Sequence, residues 1–175
     1  MSPVMLLQTL LFRRFSVTVA ELFDLHYDKV HAFLRGLSGS ATVADDLTQE
    51  AFLRVLTLRV PNGRAQERYL LRVAYTCWIR YLKTRKPTVS LDSVPTPAVD
   101  LCPHEALEKA EDVAALRQCL ARMSAEQRAI LLLVSCMDYT FVEASEILGV
   151  ARTTLVSRHR RALQWLRNNL KPATA

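Results

Sequence analysis

The side chains best placed to do chemistry lie in the run from Arg152 to Leu170. Thr154, Ser157, Arg158 and Arg161 fall on one stripe at helical spacing, with Arg152, Thr153 and Arg160 beside it. Guanidinium groups donate in pairs to guanine edges or singly to phosphate oxygens, and hydroxyls reach either target. This is the chemistry of holding duplex DNA rather than of breaking bonds. Arg158 and Arg161 suit guanine edges or phosphates, whereas Arg152 and Arg160 suit phosphates. Leu155, Ala162 and Leu166 form a second, apolar stripe on the same segment. The preceding residues supply a support for such a helix. Thr140 and Glu143 have capping-box spacing, Ile147 and Leu148 give an apolar side, and Gly149 can take the left-handed conformation that ends a helix. A helix-turn-helix needs this division, because its second helix packs inward with one stripe and reads the major groove with the other. An ordinary helical hairpin with a solvated basic side would show the same local pattern.

A second cationic cluster closes the helix expected over Glu67–Lys86, in the run Arg80-Tyr-Leu-Lys-Thr-Arg-Lys86. Leu70, Val73, Ala74, Cys77 and Leu82 are its expected inward positions. Arg64 precedes it, and Arg72, Tyr75, Thr76, Arg80, Lys83, Arg85 and Lys86 supply polar or cationic contacts. Cations can follow the phosphates of a single strand while exposed aromatics such as Tyr75 or Trp78 stack on bases. Core packing is the competing reading of Trp78 and Tyr69. A third constellation has the opposite character. Asp45, Asp46, Gln49, Glu50 and Arg54 share one side of a helix expected over Val43–Leu58, opposite Leu47, Ala51, Phe52, Val55 and Leu56. Thr42 and Asp45 are spaced as its start signal. Such a face either meets a basic partner or lies solvated, its carboxylates favouring the helix dipole.

The elements that must position these groups are all helical. The 175 residues include only four glycines and seven prolines, half are hydrophobic, and no strand pattern stands out. Thr18 and Glu21 open a first helix whose apolar side is Leu22, Leu25, Val30, Phe33, Leu34 and Leu37. Gly36, Gly39 and Ser40 break it. Pro61-Asn62-Gly63 is a turn, and residues 87–103 hold four prolines without a sustained period. Helical patterning resumes over Ala106–Met123, and Ser124 with Gln127 caps the next helix, with Ile130, Leu131 and Val134 inward. The expectation is an all-α protein of two small helical domains. A helical bundle over 15–86 and a helix-turn-helix domain over 106–172 are joined by a proline-containing linker at 87–105.

Charge follows the same division. Residues 1–86 carry +6, residues 87–111 carry −4 and residues 112–175 carry +4, for a net charge of +6. Two basic blocks around an acidic segment suit two polyanion-facing modules. Cys77, Cys102, Cys119 and Cys136 show no C-x-x-C spacing and no paired histidines, so no metal site is expected and a reducing compartment fits. Met1 to Phe12 is apolar but lacks a leading basic residue and a small-residue cleavage site, which argues against export and for a cytoplasmic protein. There is no glycine-rich phosphate loop and no nucleophile with a base, so neither an enzyme nor a cofactor nor a small-molecule substrate is expected.

Three motifs carry a family resemblance. Ala44-Asp-Asp-Leu-Thr-Gln-Glu-Ala-Phe-Leu-Arg-Val55 resembles the second conserved region of bacterial RNA polymerase sigma factors. Tyr69-Leu-Leu-Arg-Val-Ala74 with its basic helix end resembles the region that follows. Glu143-Ala-Ser-Glu-Ile-Leu-Gly-Val150, with Thr154-Leu-Val-Ser-Arg158 and Arg161-Ala-Leu163, resembles the fourth. Two helical domains on one short linker are similar to the small extracytoplasmic-function group, and the likeness covers roughly residues 18–170. It implies an alternative sigma factor that recruits polymerase core to promoters. The first domain would dock through Asp45, Asp46, Gln49, Glu50 and Arg54 on the clamp helices of the largest subunit and open the −10 element. The second would meet the flap and read the −35 element. The loop Arg59 to Arg68 would cradle a flipped base, and an anti-sigma protein is an implied partner. The chain departs from the family at Thr76, where Asn is usual, at Arg80, where Asp is usual, at Tyr69 for Trp, at Thr153 for Gly, and at Val156. His159 takes a position that usually packs inward. The competing reading is a stand-alone helix-turn-helix regulator with an amino-terminal sensor or dimerisation domain.

Overall fold

A computed structural model describes residues 19–56, 64–84 and 110–170. Every regular element among them is helical: α1 (Val19–Ser38), α2 (Ala41–Leu56), α3 (Arg64–Thr84), α4 (Ala110–Arg122), α5 (Ala125–Leu131), a π-helical turn (Leu132–Cys136), α6 (Phe141–Leu148) and α7 (Arg152–Asn169). The expected linker, the loop before Arg64, the start signal at Thr18, and Arg85 and Lys86 lie outside the described residues.

Helix α1 buries Leu22, Val30, Phe33, Leu34 and Leu37 as its periodicity demands. Leu25 does not join them and is 67% exposed, while His26 is buried. The reason is angular. At 3.6 residues per turn, His26 sits one turn above Leu22, inside the stripe, whereas Leu25 falls on its outer flank. Gly39, with φ of 70°, turns the chain, and its N–H donates to Arg35 O at 2.8 Å. Helix α2 then starts two residues ahead of the expected signal: Ser40 Oγ, not Thr42, accepts the Val43 N–H (3.4 Å). Helix α3 starts at Arg64 rather than Glu67 and buries Gln66, Leu70, Leu71, Ala74, Cys77 and Trp78. Leu82, expected inward, is 38% exposed because the last turn of α3 runs past the core.

In the second half both expected capping boxes form. The Gln127 N–H donates to Ser124 Oγ (3.2 Å) and the Ser124 N–H to Gln127 Oε1 (3.0 Å). Thr140 and Glu143 exchange the equivalent pair at 3.2 and 3.0 Å. Between them α5 widens into the π-helical turn. Asp138, at φ of 56°, then reverses the chain so that Tyr139 enters the core. Aspartate is among the few non-glycine residues that visit this region readily. Gly149 takes φ of 68° and ends α6, as a helix-turn-helix turn requires.

The two halves are packed together. One continuous core runs from Leu22, Val30, Phe33, Leu70 and Leu71 of the first half to Ile130, Leu133, Ala144, Ile147 and Leu155 of the second. Helix α3 lies against α6, and α1 against α5. A smaller core of Leu120, Met123, Leu131 and Ala162 belongs to the second half alone.

A side chain at position 149 would meet open space, its nearest neighbour being Arg72 Nη2 at 4.0 Å, so the backbone alone decides its cost. Gly149→Ala is therefore expected to lower stability by about 1 kcal/mol, read as a lower urea midpoint with an unchanged denaturant slope.

Candidate nucleic-acid interface

The stripe expected to face DNA lies on α7, with Leu155 and Ala162 buried on the opposite side. Arg152, Thr153, Ser157, Arg160 and Arg161 are exposed, and Thr154 and Arg158 are half-buried. Ser157 Oγ donates back to Thr154 O (2.9 Å), so its hydroxyl is already engaged within the helix. Arg158 pairs with Glu126, from the first turn of α5. His159 is half-buried, lies 3.1 Å from Ser135 Oγ and sits edge-on to Phe141. Burial holds its imidazole below the ordinary histidine range.

On α3, Arg64, Arg72, Thr76, Arg80 and Lys83 are exposed. Thr76 Oγ1 donates to Arg72 O (2.9 Å), and Arg80 pairs with Glu50 of α2. Glu50 also holds Arg54 at 3.0 Å, so one carboxylate joins the candidate polymerase surface to the candidate single-strand surface. Asp46 and Gln49 are exposed beside it. Asp45 turns toward α1, with Oδ1 2.9 Å from His31 Nε2 and at the limit of a hydrogen bond, 3.5 Å, from the Tyr27 hydroxyl. Tyr75 is half-buried and Trp78 buried, so Trp78 is a core residue of this structure. Burial pushes the Tyr75 phenol up, and the charge of Arg158, across the interface on α7, works against that shift.

Several partners of these groups were invisible to local spacing. Glu143 divides its carboxylate: Oε2 caps α6, while Oε1 takes Arg64 Nε (3.2 Å) and Arg68 Nη1 (3.4 Å) from α3. Arg68 Nε also reaches Glu146 at 3.0 Å. Glu67 accepts from Lys29 Nζ (2.9 Å) and from the buried Tyr139 hydroxyl, and lies 3.7 Å from His26 Nδ1. Burial alone would raise the Glu67 carboxyl. Hydrogen bonds from Lys29 and Tyr139, with the Lys29 charge, outweigh it and hold the group below the usual carboxylate range. Burial lowers His26 despite the nearby Glu67 charge. Arg128 is buried and has no carboxylate partner among the described residues; it donates to Leu37 O (2.8 Å) and Met123 O (3.2 Å). Contacts that span 72 to 91 residues leave no periodic trace, and only the capping role of Glu143 was readable.

A capped helix, a left-handed glycine and a cationic second helix define a helix-turn-helix protein. Family models agree with that class and sharpen it. Sigma-70 region 2 matches residues 22–88, and Sigma-70 region 4 matches residues 114–166. The chain belongs to the sigma-70 family of RNA polymerase sigma factors, in its extracytoplasmic-function group. It is 29% identical over 156 residues to the ECF RNA polymerase sigma factor SigE of Mycolicibacterium smegmatis, covering 86% of this chain but only 60% of that relative. SigM of Mycobacterium tuberculosis is 29% identical over 151 residues (81% and 71% of the two chains), and SigW of Bacillus subtilis 23% over 166 residues (87% and 88%). The fold is similar to that of the sigma factor RpoE from Bartonella quintana, solved with the anti-sigma factor NepR. That likeness has a TM-score of 0.64 at 22% identity, over 87% of this chain and 96% of that one. CnrH, solved with the cytosolic domain of CnrY, gives 0.64 at 16% identity, over 89% of each chain. Among the described residues no helix is long and apolar enough to cross a membrane.

The lowered groups set a pH dependence. The unfolded chain protonates its histidines near pH 6.5 and its glutamates near about 4.3, whereas His26, His159 and Glu67 in the folded chain wait for lower pH. The unfolded state therefore binds more protons through this range, and stability rises with pH. The urea midpoint should fall from pH 7.5 to 5.5 as the histidine contribution is lost, and further as pH drops through the folded value of Glu67. His26→Gln should flatten the first part of that decline.

Proposed function

We propose that the protein binds RNA polymerase core and directs promoter-specific transcription initiation, without catalysis of its own. The observation that carries this reading is the order of parts: a region 2 unit with a cationic helix α3, then a region 4 unit with a basic reading helix α7. In this reading α2 docks on the polymerase through Asp45, Asp46, Gln49, Glu50 and Arg54. Charges at such a rim steer association and set register more than they add affinity. Helix α3 holds the displaced strand of the −10 element through Arg64, Arg72, Tyr75, Thr76, Arg80 and Lys83, with Arg85 and Lys86 next along the chain. Helix α7 enters the major groove at the −35 element, with Thr153, Thr154, Ser157, Arg158 and Arg161 toward the bases and Arg152 and Arg160 toward phosphates. The clamp helices and flap of the polymerase are its protein partners, and an anti-sigma factor is a further one. The sigma factor RpoE and CnrH, which share the fold, are each described in complex with another protein.

Run-off transcription on a genomic promoter library tests this directly. Defined transcripts should appear only when core and this chain are both present; specific operator binding without core, and no transcripts with it, would replace a sigma factor by a stand-alone regulator. Arg158→Ala or Arg161→Ala should relax one promoter position by about 1–3 kcal/mol of discrimination. Arg152→Ala or Arg160→Ala should instead weaken binding across sequences and reduce the salt slope by about one.

A further inference from the structure

The outer side of α7 does not end at Arg161. Gln164 is exposed and makes no hydrogen bond among the described residues. Its neighbours differ: Ser157 Oγ donates to Thr154 O (2.9 Å), Arg158 pairs with Glu126, and Asn169 Nδ2 donates to Trp165 O (2.8 Å). The buried Leu155 and Ala162 mark the inward side of the helix. At about 100° per residue, Gln164 stands about 180° from Leu155 and about 20° from Ser157. Ser157, Arg160, Arg161 and Gln164 therefore share one i, i+3, i+4, i+7 face, and all four are exposed. A homeodomain presents the base-reading side chains of its recognition helix at this same spacing.

The residue type suits a base rather than a phosphate. Arg160 and Arg167, both exposed, lie on one flank of Gln164, and Arg161 lies on the other. A neutral amide among these cations adds nothing to the attraction of the phosphate backbone. It can donate and accept at once. Adenine offers an N6 donor beside an N7 acceptor in the major groove, and a glutamine amide meets both together. Seven residues at a rise of about 1.5 Å put Gln164 roughly 10 Å beyond Ser157 along the helix. That is about three base pairs of duplex at about 3.4 Å each.

Resting on the reading of α7 as the −35 helix, we propose that Gln164 is a further specificity-determining residue, which reads an adenine of that element through N6 and N7, about three base pairs from the pair facing Ser157.

The test uses the full chain assembled with polymerase core, on run-off templates with a randomised −35 element. The unaltered chain should favour adenine at one position by about tenfold. Gln164→Ala should abolish that preference alone. It exchanges one neutral side chain for another, so the salt slope should stay unchanged. Gln164→Glu should move the preference toward cytosine, whose N4 amine suits a carboxylate. A 7-deazaadenine at that position lacks the N7 acceptor; it should weaken the unaltered chain several-fold and leave Gln164→Ala indifferent. If a variant fails to fold, the 7-deazaadenine template with the unaltered chain still decides. Arg161→Ala separates this proposal from the reading beneath it. An unchanged preference in Gln164→Ala, while Arg161→Ala relaxes its own position, overturns the role of Gln164 and leaves the −35 reading standing. A uniform loss on every template, with the preference intact, overturns it too. If neither substitution alters any preference, or if core gives no transcripts with this chain, both the proposal and that reading fall.

Discussion

A buried positive charge held by backbone carbonyls fixes how this molecule is put together. Arg128 is buried and spends its donors on two backbone carbonyls, Leu37 O at the end of α1 and Met123 O just past α4. Both carbonyls sit at the negative ends of helix dipoles, where a cation is favoured. One belongs to each half of the chain. Desolvation pushes the guanidinium pKa down, yet arginine stays charged at any ordinary pH. A buried cation is tolerable only where its partners are held in place, and Nη1 finds its acceptor only when the two halves meet.

The same economy appears in the carboxylates. Glu143 finishes the cap of α6 with one oxygen and receives two arginines of α3 with the other. Its carboxyl is held below the usual range first by the Thr140 backbone N–H, and burial, which acts the other way, is outweighed by the hydroxyl and the arginines. Local folding of the helix-turn-helix and its contact with α3 therefore share an atom group. Glu67 plays a comparable part for α1, α3 and Tyr139. Apolar burial supplies cohesion across the same boundary through Leu70, Leu71, Ile130 and Ile147, while these charged groups set the register.

The fold was legible where interactions are local. The capping boxes at Ser124 and Thr140, the left-handed Gly149 and the inward positions Phe33, Leu37, Leu70, Ala74 and Leu155 follow from spacing and residue type alone. Where two residues compete for one helical position, hydrophobicity misled: His26 took the inward place that Leu25 was expected to fill. Ser40 capped α2 ahead of Thr42 because the chain had already reversed at Gly39. Hydropathy recognised the cationic helices as surfaces. It could not show that α3 would lie against α6, because Arg64 and Arg68 meet Glu143 and Glu146 only through a tertiary arrangement.

The widened turn at Leu132–Cys136 has a geometric meaning of its own. Compared with an uninterrupted α-helix, a π-helical stretch holds an additional residue, and each residue advances a helix by about 100°. The chain leaves α5 out of phase by that angle, and everything downstream inherits the offset. Which way α7 is aimed is thus written into the length of a five-residue coil: shortening it by one would swing that helix through more than a quarter circle while leaving its own side chains intact.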